Sequence, residues 1–198
     1  MIFFKQRAIR KLQKKLKAMQ HFREHNQPKD DVLKKEMQMY HKLAGIWKSL
    51  IGKKKFPFAQ DMVAECLRAS ARLDDTEAQY QLGRMLMDEG RMREALQKEG
   101  LFASVGNERK MRECFEEAHA LLEKSLDLGH IAAKRLSGLC FINGWGVDMD
   151  RERGFERVVE SIEQEKAWDK LPQIFASIGL NKPEFFEALT QRRGRNQG

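Results

Sequence analysis

Ala133–Gly154, AKRLSGLCFINGWGVDMDRERG, decides the reading of this chain, because its small residues fall where two antiparallel helices must touch and then turn. Ala133, Ser137 and Gly138 leave one face of a first helix nearly bare, and Phe141 fills the next turn. Asn143-Gly144-Trp145-Gly146 ends that helix in a glycine-rich bend, after which Val147 and Asp150 introduce a second. This is a helical hairpin of the kind that stacks into repeat arrays and binds other proteins.

A lone hairpin cannot bury its own apolar face, so a neighbouring copy is expected. Upstream, Ala78, Leu82, Gly83 and Leu86 reproduce the first-helix pattern. Ala118, Leu121, Lys124, Ser125, Leu126, Gly129 and His130 read as the second helix and its closing joint. Val63, Cys66, Ala69, Ser70, Ala71, Asp74 and Asp75 lead into Ala78 in the same way. Ala78 and Ala133 lie 55 residues apart, against roughly 34 to 47 for such repeats, so 91–109 reads as an insertion or an elongated helix pair.

The set Ala133, Gly138, Phe141, Gly144, Gly146, Val147 and Asp150 resembles the Sel-one-like repeat, a relative of the tetratricopeptide repeat. Ser137 stands in place of that family's leucine and Gly154 in place of a later alanine. The likeness covers about Phe58 to Ser161. It implies an all-α fold, a short α-solenoid of antiparallel helix pairs with extra N- and C-terminal helices, whose first helices line a concave groove for a protein partner. Ala78, Leu82 and Leu86 share a core-facing line, which places Tyr80, Arg84, Met87 and Asp88 on another face. Their equivalents in the second repeat are Arg135, Leu139, Ile142 and Asn143. Tyr80, Met87, Leu139 and Ile142 would offer apolar contact, with Arg84 and Arg135 selecting acidic groups; the alternative is that Tyr80, Leu139 and Ile142 are core.

Charge is unevenly placed. Residues 1–55 carry 16 Lys or Arg against Glu24, Asp30, Asp31 and Glu36, whereas the rest of the chain is mildly acidic. Ile9, Leu12, Leu16 and Met19 form a helical stripe flanked by Lys11, Lys14, Lys15 and Lys17. Asn26-Gln27-Pro28 breaks this helix. A second runs from Asp30, with Leu33, Met37, Tyr40, Ala44, Trp47 and Ile51 on one side, until Gly52 stops it before Lys53, Lys54 and Lys55. Three uses of this basic patch stay open: a cap on the repeat, contact with an anionic membrane surface or other acidic partner, or neutralisation of nucleic-acid phosphates together with Arg192, Arg193 and Arg195.

The chain has 198 residues, 33% of them charged, and a mean hydropathy of −0.64. No stretch reaches the length of about 18 apolar residues a membrane span needs. MIFF is followed at once by Lys5 and Arg7, so a secretory signal is not expected. Cys66, Cys114 and Cys140 are an odd, scattered set, which suggests a reducing cytoplasm, with the protein cytoplasmic or peripheral to a membrane.

One string has the form of an enzyme motif. His21-Phe22-Arg23-Glu24-His25 reads H-x-x-E-H, which on a helix turns both histidines to one side, as in a zinc-dependent hydrolase. Hydrolysis would also need a third ligand and a catalytic carboxylate beside a bound water, so the histidines are read as polar surface groups. His41, His119 and His130 fall on separate segments, Gly144-Trp145-Gly146 reads as a turn, and Glu113, Glu116, Glu117 and Glu123 as a solvated face. Trp168, Leu171, Ile174, Phe175 and Ile178 predict a short helix, and Phe185, Phe186 and Leu189 anchor another.

The expected organisation is a basic helical extension over 1–55, a repeat region over 56–166, capping helices over 167–191 and a disordered tail over 192–198. The expected function is a protein–protein interaction adaptor or scaffold, without catalytic residues, cofactor or metal, acting alone or inside a larger complex. A nucleic-acid- or ribosome-associated accessory protein is the alternative.

Overall fold

The computed structural model describes residues 2–101 and 103–178; they form eight α-helices and one 3-10 turn, with no strand among the described residues. The fold is all-α, as expected. It divides into two compact units, Met1–Met85 and Leu86–Gly198. The boundary falls inside a single helix, and residues 1–55 belong to unit 1 together with residues 56–85.

Unit 1 holds α1 (Ile2–His25), α2 (Asp30–Lys48), α3 (Ala59–Ala71) and the start of α4 (Thr76–Lys98). The segment around Pro28 separates α1 from α2, and Asp30 and Asp31 occupy the first turn of α2, where the positive end of the helix dipole favours acids. Gln20 Nε2 donates to Tyr40 Oη at 2.6 Å, Arg23 Nε lies 3.5 Å from Glu36 Oε2, and Lys5 Nζ donates to Ser49 Oγ at 2.8 Å. Contacts that ascend one helix thus descend the other, and the pair is antiparallel. The core of this unit includes Ile9, Leu16, Leu43, Trp47, Val63 and Leu67.

The second helix ends earlier than its sequence suggests. After Lys48 the chain tightens, with Leu50 N–H donating to Trp47 C=O at 2.8 Å and Ile51 N–H to Lys48 C=O at 3.3 Å. This turns Leu50 into the core and leaves Ile51, expected on the buried stripe, exposed.

Unit 2 holds the remainder of α4, then α5 (Val105–Asp127), α6 (Ile131–Asn143), α7 (Arg151–Gln164), the 3-10 turn Trp168–Lys170 and α8 (Leu171–Ile178). The segment 91–109 is an elongated helix pair, since α4 and α5 each run for 23 residues. Side-chain caps set the helix starts: Ser104 accepts from Asn107 N–H, His130 from Ala133 N–H and Asp150 from Arg153 N–H. His130 is thus a joint residue, as read. The helix expected over 181–191 and the tail over 192–198 lie outside the described residues.

The seam between α6 and α7 is built on glycine. A Cβ on Gly138 would stand 2.6 Å from the Gly154 carbonyl oxygen, and one on Gly154 would stand 2.6 Å from the Gly138 carbonyl oxygen. The turn that follows α6 depends on left-handed backbone at Gly144 (φ 69°) and Gly146 (φ 70°). Trp145 between them stacks on Phe115 of α5, with ring centroids 5.2 Å apart and planes 5° from parallel.

Candidate docking surface

On α1 the buried positions Ile9 and Leu16 define the inner side, and the helical period then sends Arg7, Lys11, Lys14 and Lys15 outward, with Arg10 and Lys17 flanking them. All six cations are exposed. No acid precedes Glu24 in the helix, and its first turn has none to match the dipole. Phe3 and Phe4 project from the same side, 72% and 73% exposed, and Phe22 lies at its far end, also exposed. A helix end with unopposed cations and bare aromatics is costly for an isolated protein, which makes this face the strongest candidate for contact.

The Lys5–Ser49 hydrogen bond brings the end of α2 to the beginning of α1. Exposed Lys53, Lys54 and Lys55 therefore lie at the same end of unit 1 as Phe3 and Phe4, while Lys14, Lys15 and Lys17 continue along α1. Arg7 and Arg10 extend the patch beyond the lysines singled out in the sequence. Between α1 and the turns after α2 lies an open cleft of about 300 Å³, lined by Gln6, Ile9, Arg10, Gln13, Trp47, Phe56, Phe58 and Met62.

Three of the four apolar residues expected to line the groove are buried instead. Met87, Leu139 and Ile142 are core residues, with 2%, 1% and 5% of their surface exposed. The physical reason for the last two is that the apolar residues of α6 are spread around the helix and are buried throughout from Leu136 to Ile142, so its period marks no outward face there. Arg135 is held by α7, donating to Ser161 Oγ at 3.3 Å and to the Glu165 carboxylate. Arg84, Asp88 and Asn143 are exposed and Tyr80 is half-buried; Tyr80 and Arg84 belong to unit 1 and the other six residues of the set to unit 2.

Two polar clusters hold each unit together from within. In unit 2, Arg157 grips the Glu123 carboxylate with both terminal nitrogens, and Ser137 donates to Glu123 while accepting from Arg157. Glu123 was expected on a solvated face; the three-helix seam turns it inward. Burial pushes its carboxyl up, but hydrogen bonds from Arg157 and Ser137, with the charges of Arg157 and His119, hold it below the ordinary range. Burial holds the adjacent His119 imidazole below its usual value. Arg153 and Arg157 both lie over the Phe141 ring, at 4.3 and 4.8 Å.

In unit 1, Asp75 accepts from Ser70 Oγ at 2.7 Å and from Ala78 N–H at 3.1 Å, and lies 2.7 Å from His41 Nε2. Burial raises its carboxyl, yet these hydrogen bonds and His41 outweigh burial and lower it. Both clusters contain a serine, a histidine and an acid, but each hydroxyl donates to the carboxylate, whereas an activated nucleophile donates to the imidazole. Ser70 and Ser137 are also fully buried. Their geometry is that of a helix clamp. The thiols of Cys66 and Cys140 are pushed up to about 12, chiefly by burial, and so are poor nucleophiles.

His21 and His25 do face one side, with Glu24 beside them, all three exposed at the end of α1. No helix among the described residues is long and apolar enough to cross a membrane. Searches of protein-family models, curated proteins and solved structures found no match to this chain.

Proposed function

We propose that the protein is a non-catalytic adaptor of the Sel-one-like type that docks by the outward face of α1 on an anionic membrane surface and offers its helix pairs to a protein partner. The observation that carries the reading is the exposed row Arg7, Arg10, Lys11, Lys14, Lys15 and Lys17, bracketed by Phe3, Phe4 and Phe22 and free of acids before Glu24. Each cation near an anionic leaflet contributes about 1 kcal/mol, and inserted aromatics add apolar burial at the headgroup boundary. The close approach at Gly138, with the positive φ at Gly144 and Gly146, supports the repeat reading because these are among the positions on which the resemblance rests.

Vesicle co-sedimentation with the full chain tests the membrane part. Binding is expected to vesicles containing phosphatidylserine and not to phosphatidylcholine alone, and to weaken as salt rises. Reversing Lys11, Lys14, Lys15 and Lys17 to Glu should lower the partition coefficient by on the order of 100-fold or more. Equal binding to neutral and anionic vesicles, or capture of RNA in preference to vesicles at the same salt, would remove the reading.

A further inference from the structure

The cations of the docking row stop at Lys17, and only Phe22 of that face reaches the last turns of α1. His21, Glu24 and His25 are all exposed there, and their candidate ligand atoms lie within 4.8 Å of one another. The imidazole rings stand 4.5 Å apart, tilted by 57°, and His21 Nδ1 is 3.9 Å from Glu24 Oε2. His25 Nδ1 lies 2.9 Å from the His21 carbonyl oxygen. A carbonyl only accepts, so this contact places the proton on Nδ1 and leaves the Nε2 lone pair of His25 free to bind a ligand. Such an outer hydrogen bond is how ligating histidines are held in one tautomer.

We propose that His21, Glu24 and His25 form a surface site for one divalent transition-metal ion of the zinc, nickel or copper class. Imidazole nitrogen and carboxylate oxygen suit these ions. Two metal–nitrogen bonds of about 2.0–2.1 Å set the nitrogens roughly 3.3 Å apart, which exposed side chains reach by small rotations. The cation sits where the helix dipole is negative, at the C-terminal end of α1. Arg23, the adjacent cation, is directed onto α2, 3.5 Å from Glu36 Oε2, and so leaves the histidine side clear. Three protein ligands leave the remaining coordination positions to water, and because all three are exposed their replacement leaves the packed side of α1 untouched.

Calorimetric titration of the full chain, carrying no affinity tag, with zinc chloride at neutral pH tests this. One equivalent is expected to bind. His21→Ala or His25→Ala should weaken it by on the order of 10-fold or more and Glu24→Gln by less. Helicity and melting without metal should be unchanged in all three variants, since the side chains are exposed. Absence of saturable binding, binding that persists in the His21→Ala/His25→Ala double variant, or half an equivalent with a new dimer on sizing would each overturn the site. Vesicle binding of the metal-free chain reports separately on the docking face.

Discussion

Between α6 and α7 the closest approach is backbone to backbone, with Gly138 and Gly154 each leaving room for the other's carbonyl. Between α1 and α2 it is side chain to side chain: Lys5 to Ser49, Gln20 to Tyr40, Arg23 to Glu36. The first seam buries every residue of α6 from Leu136 to Ile142. The second buries Ile9 and Leu16 on α1 and leaves Glu36 Oε1 and Trp47 Nε1 without hydrogen-bond partners. A glycine seam is rigid because nothing in it can rotate out of the way. A side-chain seam is held at intervals, keeps its outer helix surface in water, and is where contact with a partner costs least rearrangement.

The contrast breaks most visibly at Gly154. Replacement by alanine puts Cβ 2.6 Å from the Gly138 carbonyl oxygen and 2.9 Å from Ile142 N, atoms that can move only if the helices part. Gly154→Ala should cost about 3 kcal/mol, against the gain alanine ordinarily brings inside a helix. Urea denaturation followed through unit 2 reads the loss. A change of less than about 1 kcal/mol would mean that the seam yields, and the distinction between the two seams would fall.

The polar clamp across α5, α6 and α7 comes next. Glu123→Gln removes the charge that Arg157 and Ser137 surround and leaves a half-buried guanidinium poorly matched, a cost of about 2 kcal/mol at neutral pH. The sign of its pH dependence follows from the lowered carboxyl. The stabilisation is complete above the unfolded carboxylate's value and is lost as pH falls through the lower folded one. Wild type and variant should therefore differ most near neutrality and converge in acid, below about pH 4. His119, also lowered, adds loss in the same direction at higher pH, in both proteins. A stability gap that widens in acid would show that Glu123 is not held as its geometry implies.

The parts of this fold that are legible in sequence are local. Gly144, Gly146 and Asp150 announce a turn and a cap within a few residues of where they act, and Pro28 stops α1 by its own ring. Lysines spaced along α1 mark its exposed side because the inner stripe is apolar. The burial of Leu139 and Ile142 is not legible in this way, since apolar residues spread around a helix give no period to betray its orientation. Nor is the division at Met85, which lies inside a continuous helix with no change of composition. The Glu123 cluster draws on His119, Ser137 and Arg157 from three helices, so only their packing reveals that one glutamate of a charged run points inward.

The smallest effect sharpens the contrast from the other side. Gly45 lies within α2 on its exposed side, and a Cβ there would meet nothing within 4 Å. With no clash to offset it, Gly45→Ala gains helix propensity and restricts the unfolded chain, which should stabilise unit 1 by about 0.5–1 kcal/mol. The same substitution thus changes sign between a glycine inside the α6–α7 seam and one on the open side of α2. The reason is packing alone, because both glycines sit in helices with ordinary backbone and differ only in what stands beside the missing carbon. A higher urea midpoint with unchanged slope is the expected result. A lower midpoint would show that the outer face of α2 already touches something in solution, and α1 would no longer be the natural docking side of unit 1.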